Sequence, residues 1–198
     1  MKKTPNNDLS PELLRILKIF IVASLAFVLL LSFFNERRAD NSGEDNAFRV
    51  TDASRLYFRN IRRAYYQVES RSDARLDVYR LSKRVKDSTQ NVLNLAIVLN
   101  RDRNTAYLYV EPQGGLAGED PLEIRWRFPE RKESGTIHFS FGDRYSHVVF
   151  AKEIFFRLEE NAVYEARFDN KWIPVLQNET ERKAFMTTIR DYLRLVQG

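Results

Sequence analysis

The sequence predicts an α+β protein: an N-terminal transmembrane helix, a tether, and one domain in which an antiparallel β-sheet of about five to seven strands is packed by two or three helices. Three observations carry this. Residues 19–34 contain no charged side chain. The runs "LEIRWRF" and "TIHFSF" alternate apolar and polar side chains with period two. The C-terminal third holds apolar residues at helical spacing.

The uncharged run lies within "LKIFIVASLAFVLLLSFFNERR". Its sixteen residues would span about 24 Å as a helix, short of a hydrocarbon core of roughly 30 Å. Extension back to Leu13 gives about 33 Å and takes in Arg15 and Lys18, whose long side chains can reach the headgroups. Ser10, Pro11 and Glu12 form a helix-start signature of cap, first-turn proline and first-turn acid. No small-residue cleavage pattern follows the run, which ends in Phe33-Phe34-Asn35-Glu36-Arg37-Arg38, so a retained single-pass signal anchor is expected. Lys2, Lys3, Arg15 and Lys18 precede it, against Arg37 and Arg38 after it. That bias places the N-terminus in the cytoplasm and the C-terminal domain in the periplasm or outside the cell. The division is a tail over 1–12, the transmembrane helix over 13–34, a flexible linker over 35–47 and the globular domain over 48–198.

No cysteine occurs, which excludes disulfides, thiolate catalysis and cysteine-ligated zinc. The net charge of +5 is uneven: residues 49–86 hold eleven Arg or Lys against four acids. Within them, "RLYFRNIRRAYYQ" interleaves Arg55, Arg59, Arg62 and Arg63 with aromatic rings. Ala53, Tyr57, Ile61, Ala64, Tyr65 and Val68 fall at helical spacing, so the segment reads as an amphipathic helix with a solvated basic face. The same four arginines are the candidate surface for anionic lipid, for a protein partner or, less favourably, for nucleic acid.

The domain body reads in order. Residues 74–85 suit a strand better than a helix, and "LNLAIVLNRDRNTAYLYVEP" is a hairpin with its turn at 100–104, central because both its faces are apolar. Residues 112–121, with three glycines and two prolines, make a loop. Leu122, Ile124, Trp126 and Phe128 face one way in their strand, as do Ile137, Phe139 and Phe141 in the next. Asp143 caps a helix whose inner stripe is Val148, Ala151, Phe155, Leu158 and Ala162. A second hairpin turns at Asp169-Asn170, with Pro174 tolerated only at an edge or strand end. Asn178 or Thr180 caps a closing helix with Phe185, Ile189, Tyr192 and Val196 inside.

Chemistry-bearing patterns are sparse. The two histidines, His138 and His147, lack an identifiable carboxylate partner for a metal, and no nucleophile elbow or phosphate loop is present. Glu159 and Glu160 are adjacent on a helix and point apart. No catalytic residue, metal ligand or cofactor is assigned. If their strands pair, Arg125, Arg127 and His138 meet on one polar sheet face as a candidate site for a carboxylate or phosphate, with cross-strand ion pairing as the plainer alternative. The preferred function is a membrane-anchored interaction or scaffold module whose partners are the bilayer and a protein of an envelope complex. The alternatives are an envelope enzyme or small-ligand-binding domain, and a binder of anionic lipid or nucleic acid through 49–86.

Overall fold

A computed structural model describes residues 11–33 and 45–197 of the chain, with side chains over 11–28 and 47–197. Residues 1–10 of the expected tail over 1–12, and residues 35–44 of the expected linker over 35–47, lie outside the described residues. The chain divides into two units, Met1–Arg38 and Ala39–Gly198.

The first unit holds one helix, α1 (Pro11–Phe33), which begins at the proline that marks its first turn. Leu17, Ile19, Phe20, Val22, Leu25 and Val28 are exposed around its circumference. Among the described residues, no helix is long and apolar enough to cross a membrane. The expected transmembrane helix over 13–34 extends beyond that described stretch. Glu12, Arg15 and Lys18 occupy the first turns of α1, and the described uncharged stretch, 19–28, covers only about 15 Å. The rest of the uncharged run, from position 29, lies where side chains are not described.

The second unit contains two four-stranded antiparallel sheets rather than one larger sheet. The first is built from β1 (Tyr66–Arg71), β2 (Leu76–Leu81), β3 (Leu93–Asn100) and β4 (Thr105–Pro112), in that order. The second comprises β5 (Leu122–Arg127), β6 (Ser134–Phe139), β7 (Val163–Phe168) and β8 (Lys171–Val175), ordered β6-β5-β7-β8. The sheets separate because β5 is paired on both sides, by β6 and β7, and has no edge left for β4. The intervening loop is anchored, not loose. Leu116 is fully buried, and Gly115 lies so close to the Phe168 ring that any side chain there would collide with it.

Two helices complete the layers: α3 (Arg144–Glu159) packs on β4 and β6, and α4 (Glu179–Gln197) packs on β3, β4 and α3. One hydrophobic cluster runs through both sheets and both helices. The expected inner stripe of α3 is buried throughout, and Asp143 accepts the Ser146 N–H at 2.7 Å as its cap. Asp169 and Asn170 both adopt positive φ, the type I′ geometry that matches strand twist. Pro174 sits on the edge strand β8, where no ladder donor is required. Asn178 closes the start of α4, accepting the Thr180 N–H at 2.8 Å.

Two expectations fail here. β3 is central, but β4 is an edge strand. Its Val110 N–H donates to Nδ1 of buried His147 at 3.1 Å, which supplies the missing neighbour strand's acceptor. The amphipathic helix expected through Val68 stops early. A short helix, α2 (Asp52–Tyr57), passes into a π turn (Phe58–Arg62) and a 3-10 turn (Arg63–Tyr65), after which the chain enters β1. Ile61 and Tyr65 are therefore exposed, at 52% and 54%, while Ser54, Phe58 and Tyr66 are the buried positions.

Glu181 joins the layers. It is 3% exposed, and its two oxygens accept the Leu93 N–H, at the start of β3, and the Leu176 N–H, just past β8, each at 2.8 Å. Burial raises its pKa from 4.5 to about 7 against the pull of those two N–H donors. Burial lowers that of His147 from 6.5 to about 4.

Two predictions follow from these buried groups. Between pH 4.5 and 7 folded Glu181 holds a proton that the unfolded chain has released, so its contribution to stability falls as pH rises. Between about 4 and 6.5 His147 acts in the opposite sense, because the unfolded chain is the one that binds the proton. The wild-type slopes offset each other. Glu181→Gln should cost about 1–3 kcal/mol, because the amide turns a donor toward one N–H. In that variant stability should rise with pH by up to about 1.4 kcal/mol per unit across the histidine window, read by urea titration. Separately, Gly115→Ala should lower Tm by several degrees by displacing the Phe168 ring, whereas Gly118→Ala, with open space around it, should not.

Candidate functional site

Thr51 opens α2 by accepting the Ser54 N–H at 3.1 Å. Arg55, Arg59 and Arg63 then recur every fourth residue and form a row along the helical segment. The segment is held down by Phe58, 2% exposed, whose ring centroid lies 5.6 Å from that of Tyr66 and 5.2 Å from that of Tyr79. Burying Phe58 beneath the π turn leaves the arginine row over the end of the first sheet. Such widened turns recur at functional sites.

The row forms one wall of a cleft of about 460 Å3. The floor is the core-facing side of the sheet where its helical cover ends: Val68 and Ser70 of β1, Asp77 and Tyr79 of β2, and Leu99 of β3. Arg101, just past β3, closes the far side. Four guanidinium groups therefore border one space. Arg55 is held by Asn104 at 2.6 Å and Asp52 at 2.8 Å. Arg101 reaches Asp77 only at 3.6 Å, while Ser70 donates to Asp77 at 2.6 Å. Arg59 and Arg63 form no ion pair or hydrogen bond among the described residues. The Tyr79 hydroxyl is raised by burial, then by Asp77, and is opposed by the charges of Arg63, Arg59 and Arg101. It stays protonated at neutral pH and is a donor.

Elsewhere most arginines of the domain have an acidic partner. Arg80 lies between Glu69 at 2.8 Å and Glu111 at 2.7 Å on the opposite sheet face. Arg62, the fourth candidate of the basic segment, also leaves the row. It donates to both oxygens of Asp191, at 2.8 and 3.0 Å, and the Tyr66 hydroxyl donates to the same carboxylate at 2.6 Å. This clamps the helical segment to α4. Most aromatic rings of the segment are likewise used by the fold: Phe58 and Tyr66 are buried, and Tyr57 is covered by Arg194 at 4.0 Å, while exposed Tyr65 has Arg62 over one face at 4.8 Å.

The second sheet presents the other predicted trio. Arg125, Arg127 and His138 share its polar face, because β5 and β6 pair with Glu123 opposite His138. Arg125 and Arg127 border a cavity of about 420 Å3 that His138 does not line, and Arg127 forms no ion pair among the described residues. Arg125 donates to Glu165 at 2.6 Å and stacks over Trp172 at 4.5 Å. Glu123 takes Arg167 at 2.8 Å and lies 3.6 Å from His138. The face is a ladder of opposite charges. His147 is committed to Val110 beneath the rings of Tyr109 and Phe139. Among the described residues, no group of three or more histidines and acids is placed to hold a metal ion.

Reading the sequence missed Arg101, Tyr79 and Asp77. Arg101 sits in a turn, and only the β2–β3 register, with Asp77 opposite Leu99, carries it to the cleft. One signal was present: Asp77 interrupts an apolar period, with Tyr79 and Leu81 buried at the next two alternate positions.

A cluster of unpaired like charges strains the fold, whereas an ion pair between elements supports it. Replacing Arg59 and Arg63 together by Gln should leave Tm unchanged or raise it at low salt. Arg62→Gln should lower stability by about 1–2 kcal/mol by stranding Asp191. Thermal unfolding of the two variants side by side makes the comparison. No family model, no curated protein and no solved structure matches this chain.

Proposed function

We propose that this protein is a membrane-anchored binding module whose folded domain, placed outside the cytoplasm, receives an anionic group of an envelope partner in its arginine cleft. The observation that carries the reading is the convergence of Arg55, Arg59, Arg63 and Arg101 on one cleft, with Asp77 the acid that lines it. Arginines left without partners in a domain that pairs most of the others mark a place where a counter-charge arrives from outside. An enzymatic reading draws support from neither histidine: His147 serves the β4 edge and His138 faces Glu123.

The anchoring part rests on α1. A helix that exposes Ile19, Phe20, Val22 and Phe27 at 62–68% has no charged side to offer water over that stretch. Each such side chain gains about 1.5–3 kcal/mol on leaving water. The excess of basic residues ahead of it favours the domain on the far side of the bilayer.

Three measurements test the reading. The full chain should stay with membranes after alkaline carbonate extraction, and a C-terminal topology reporter should be active outside the cytoplasm. Release of the chain into the soluble fraction, or a cytoplasmic reporter signal, would overturn anchoring or sidedness. In-cell crosslinking should capture a partner whose yield falls about tenfold in Arg59→Gln/Arg63→Gln and stays unchanged in Arg125→Gln/Arg127→Gln. Equal capture by both pairs removes the cleft from the interaction.

A further inference from the structure

We infer that the anionic group taken by the arginine cleft is the phosphate ester of a polyol, with phosphate oxygens on Arg59 and Arg63 and hydroxyl groups on Asp77. The inference rests on the reading of the cleft as an anion site and specifies its ligand by chemistry.

Charge supplies the first half. Arg59 and Arg63 are one helical turn apart, so their Cβ atoms stand about 6 Å from each other. Two free guanidinium forks at that spacing can grip one phosphate from two sides, each offering paired N–H donors. The Tyr79 hydroxyl, a protonated donor on the cleft floor, adds a further hydrogen bond. Neither Arg55 nor Arg101 is needed for this grip, since each already has a carboxylate nearby, and both raise the local positive potential.

Asp77 supplies the second half. A site for a bare anion would gain by losing this carboxylate, which repels the ligand it is meant to hold. Its side chain is 17% exposed and lines the cleft. One oxygen accepts from Ser70 at 2.6 Å, and the other has only Arg101, at 3.6 Å. An ionised carboxylate can accept about four hydrogen bonds. Acceptor capacity therefore remains, directed at a ligand that brings donors as well as negative charge. Hydroxyl groups meet that demand without adding positive charge beside four arginines.

Size and lining agree. A water takes about 30 Å3 of liquid. A phosphate is only a few times larger, so a cleft of about 460 Å3 has room for a carbon body besides. Val68 and Leu99 give that body apolar contact. No exposed aromatic ring lines the cleft to stack a base: Phe58 and Tyr66 are buried, Tyr57 is covered by Arg194, and Tyr65 lies with Arg62 outside it. That disfavours a nucleotide. The same polyol-phosphate chemistry occurs on a lipid headgroup and on a free metabolite.

Isothermal titration calorimetry of the full chain in a neutral detergent separates the possibilities, with glycerol 3-phosphate, inorganic phosphate and short-chain phosphatidylglycerol as probes. Glycerol 3-phosphate should bind about tenfold tighter than inorganic phosphate. Asp77→Asn, which keeps an acceptor for Ser70, should erase that advantage while leaving phosphate binding equal or tighter. Arg59→Gln/Arg63→Gln should lose both ligands. Equal affinity for the two phosphates, indifferent to Asp77→Asn, would overturn the polyol assignment and leave the anion site standing. Absence of binding by either would overturn both. Tighter binding of the short-chain lipid than of glycerol 3-phosphate identifies the source as a headgroup, and the reverse order a free polyol phosphate.

Discussion

A single buried carboxylate ties the domain together. Glu181 sits near the start of α4 and accepts one backbone N–H from the beginning of the first sheet's β3 and one from the chain leaving the second sheet's β8. Moving a carboxylate out of water is costly, and no cation compensates it here. The interaction persists because both N–H groups would otherwise need partners in a region too buried for water. It also fixes the height of α4 against both sheets at once, and the inner stripe of Phe185, Ile189, Tyr192 and Leu195 then fills the core. The Arg62–Asp191–Tyr66 contact fixes the same helix two to three turns further on.

Those two attachments determine where the cleft lies. With α4 pinned at Leu93 and Tyr66, its cover reaches only part of the first sheet's core-facing side. Phe58 plugs the middle, between Tyr66 and Tyr79. Beyond Tyr79 the sheet carries Ser70 and Asp77 where a core would require apolar side chains, and this polar end faces the arginine row. The cleft is thus a place where the core stops, lined by groups that neither pack nor pair fully. Opposite faces of both sheets, by contrast, pair Arg80, Arg125 and Arg167 with acids on neighbouring strands.

Part of this site was legible in the sequence. Arg55, Arg59 and Arg63, at intervals of four, are a row on any helix-like segment, and they remain one in the structure. Arg62 was not separable from them by composition. Its departure depends on Asp191, 129 residues later in the chain, which no local pattern can reveal. The aromatic interleaving that suggested base stacking turned out to be fold chemistry, since Phe58 and Tyr66 are core residues. The buried Glu181 had a faint signature, four residues before Phe185 on the inner face of α4, and charge alone argued for placing it outside.

Local physics determined much on its own: the alternation of β5 and β6, the Asp143 cap, the left-handed turn at Asp169 and Asn170, and the exclusion of Pro174 from a ladder interior. These depend on neighbours within a few residues, so spacing and residue type suffice. Tertiary structure alone decided that eight strands form two sheets, that β4 ends at an edge sealed by His147, and that the helical segment after Asp52 stops at Tyr65. Each of those outcomes turns on which surfaces meet across long stretches of chain. A pairing register and a buried contact between distant residues are choices among many locally equivalent arrangements, and only the packed core selects between them.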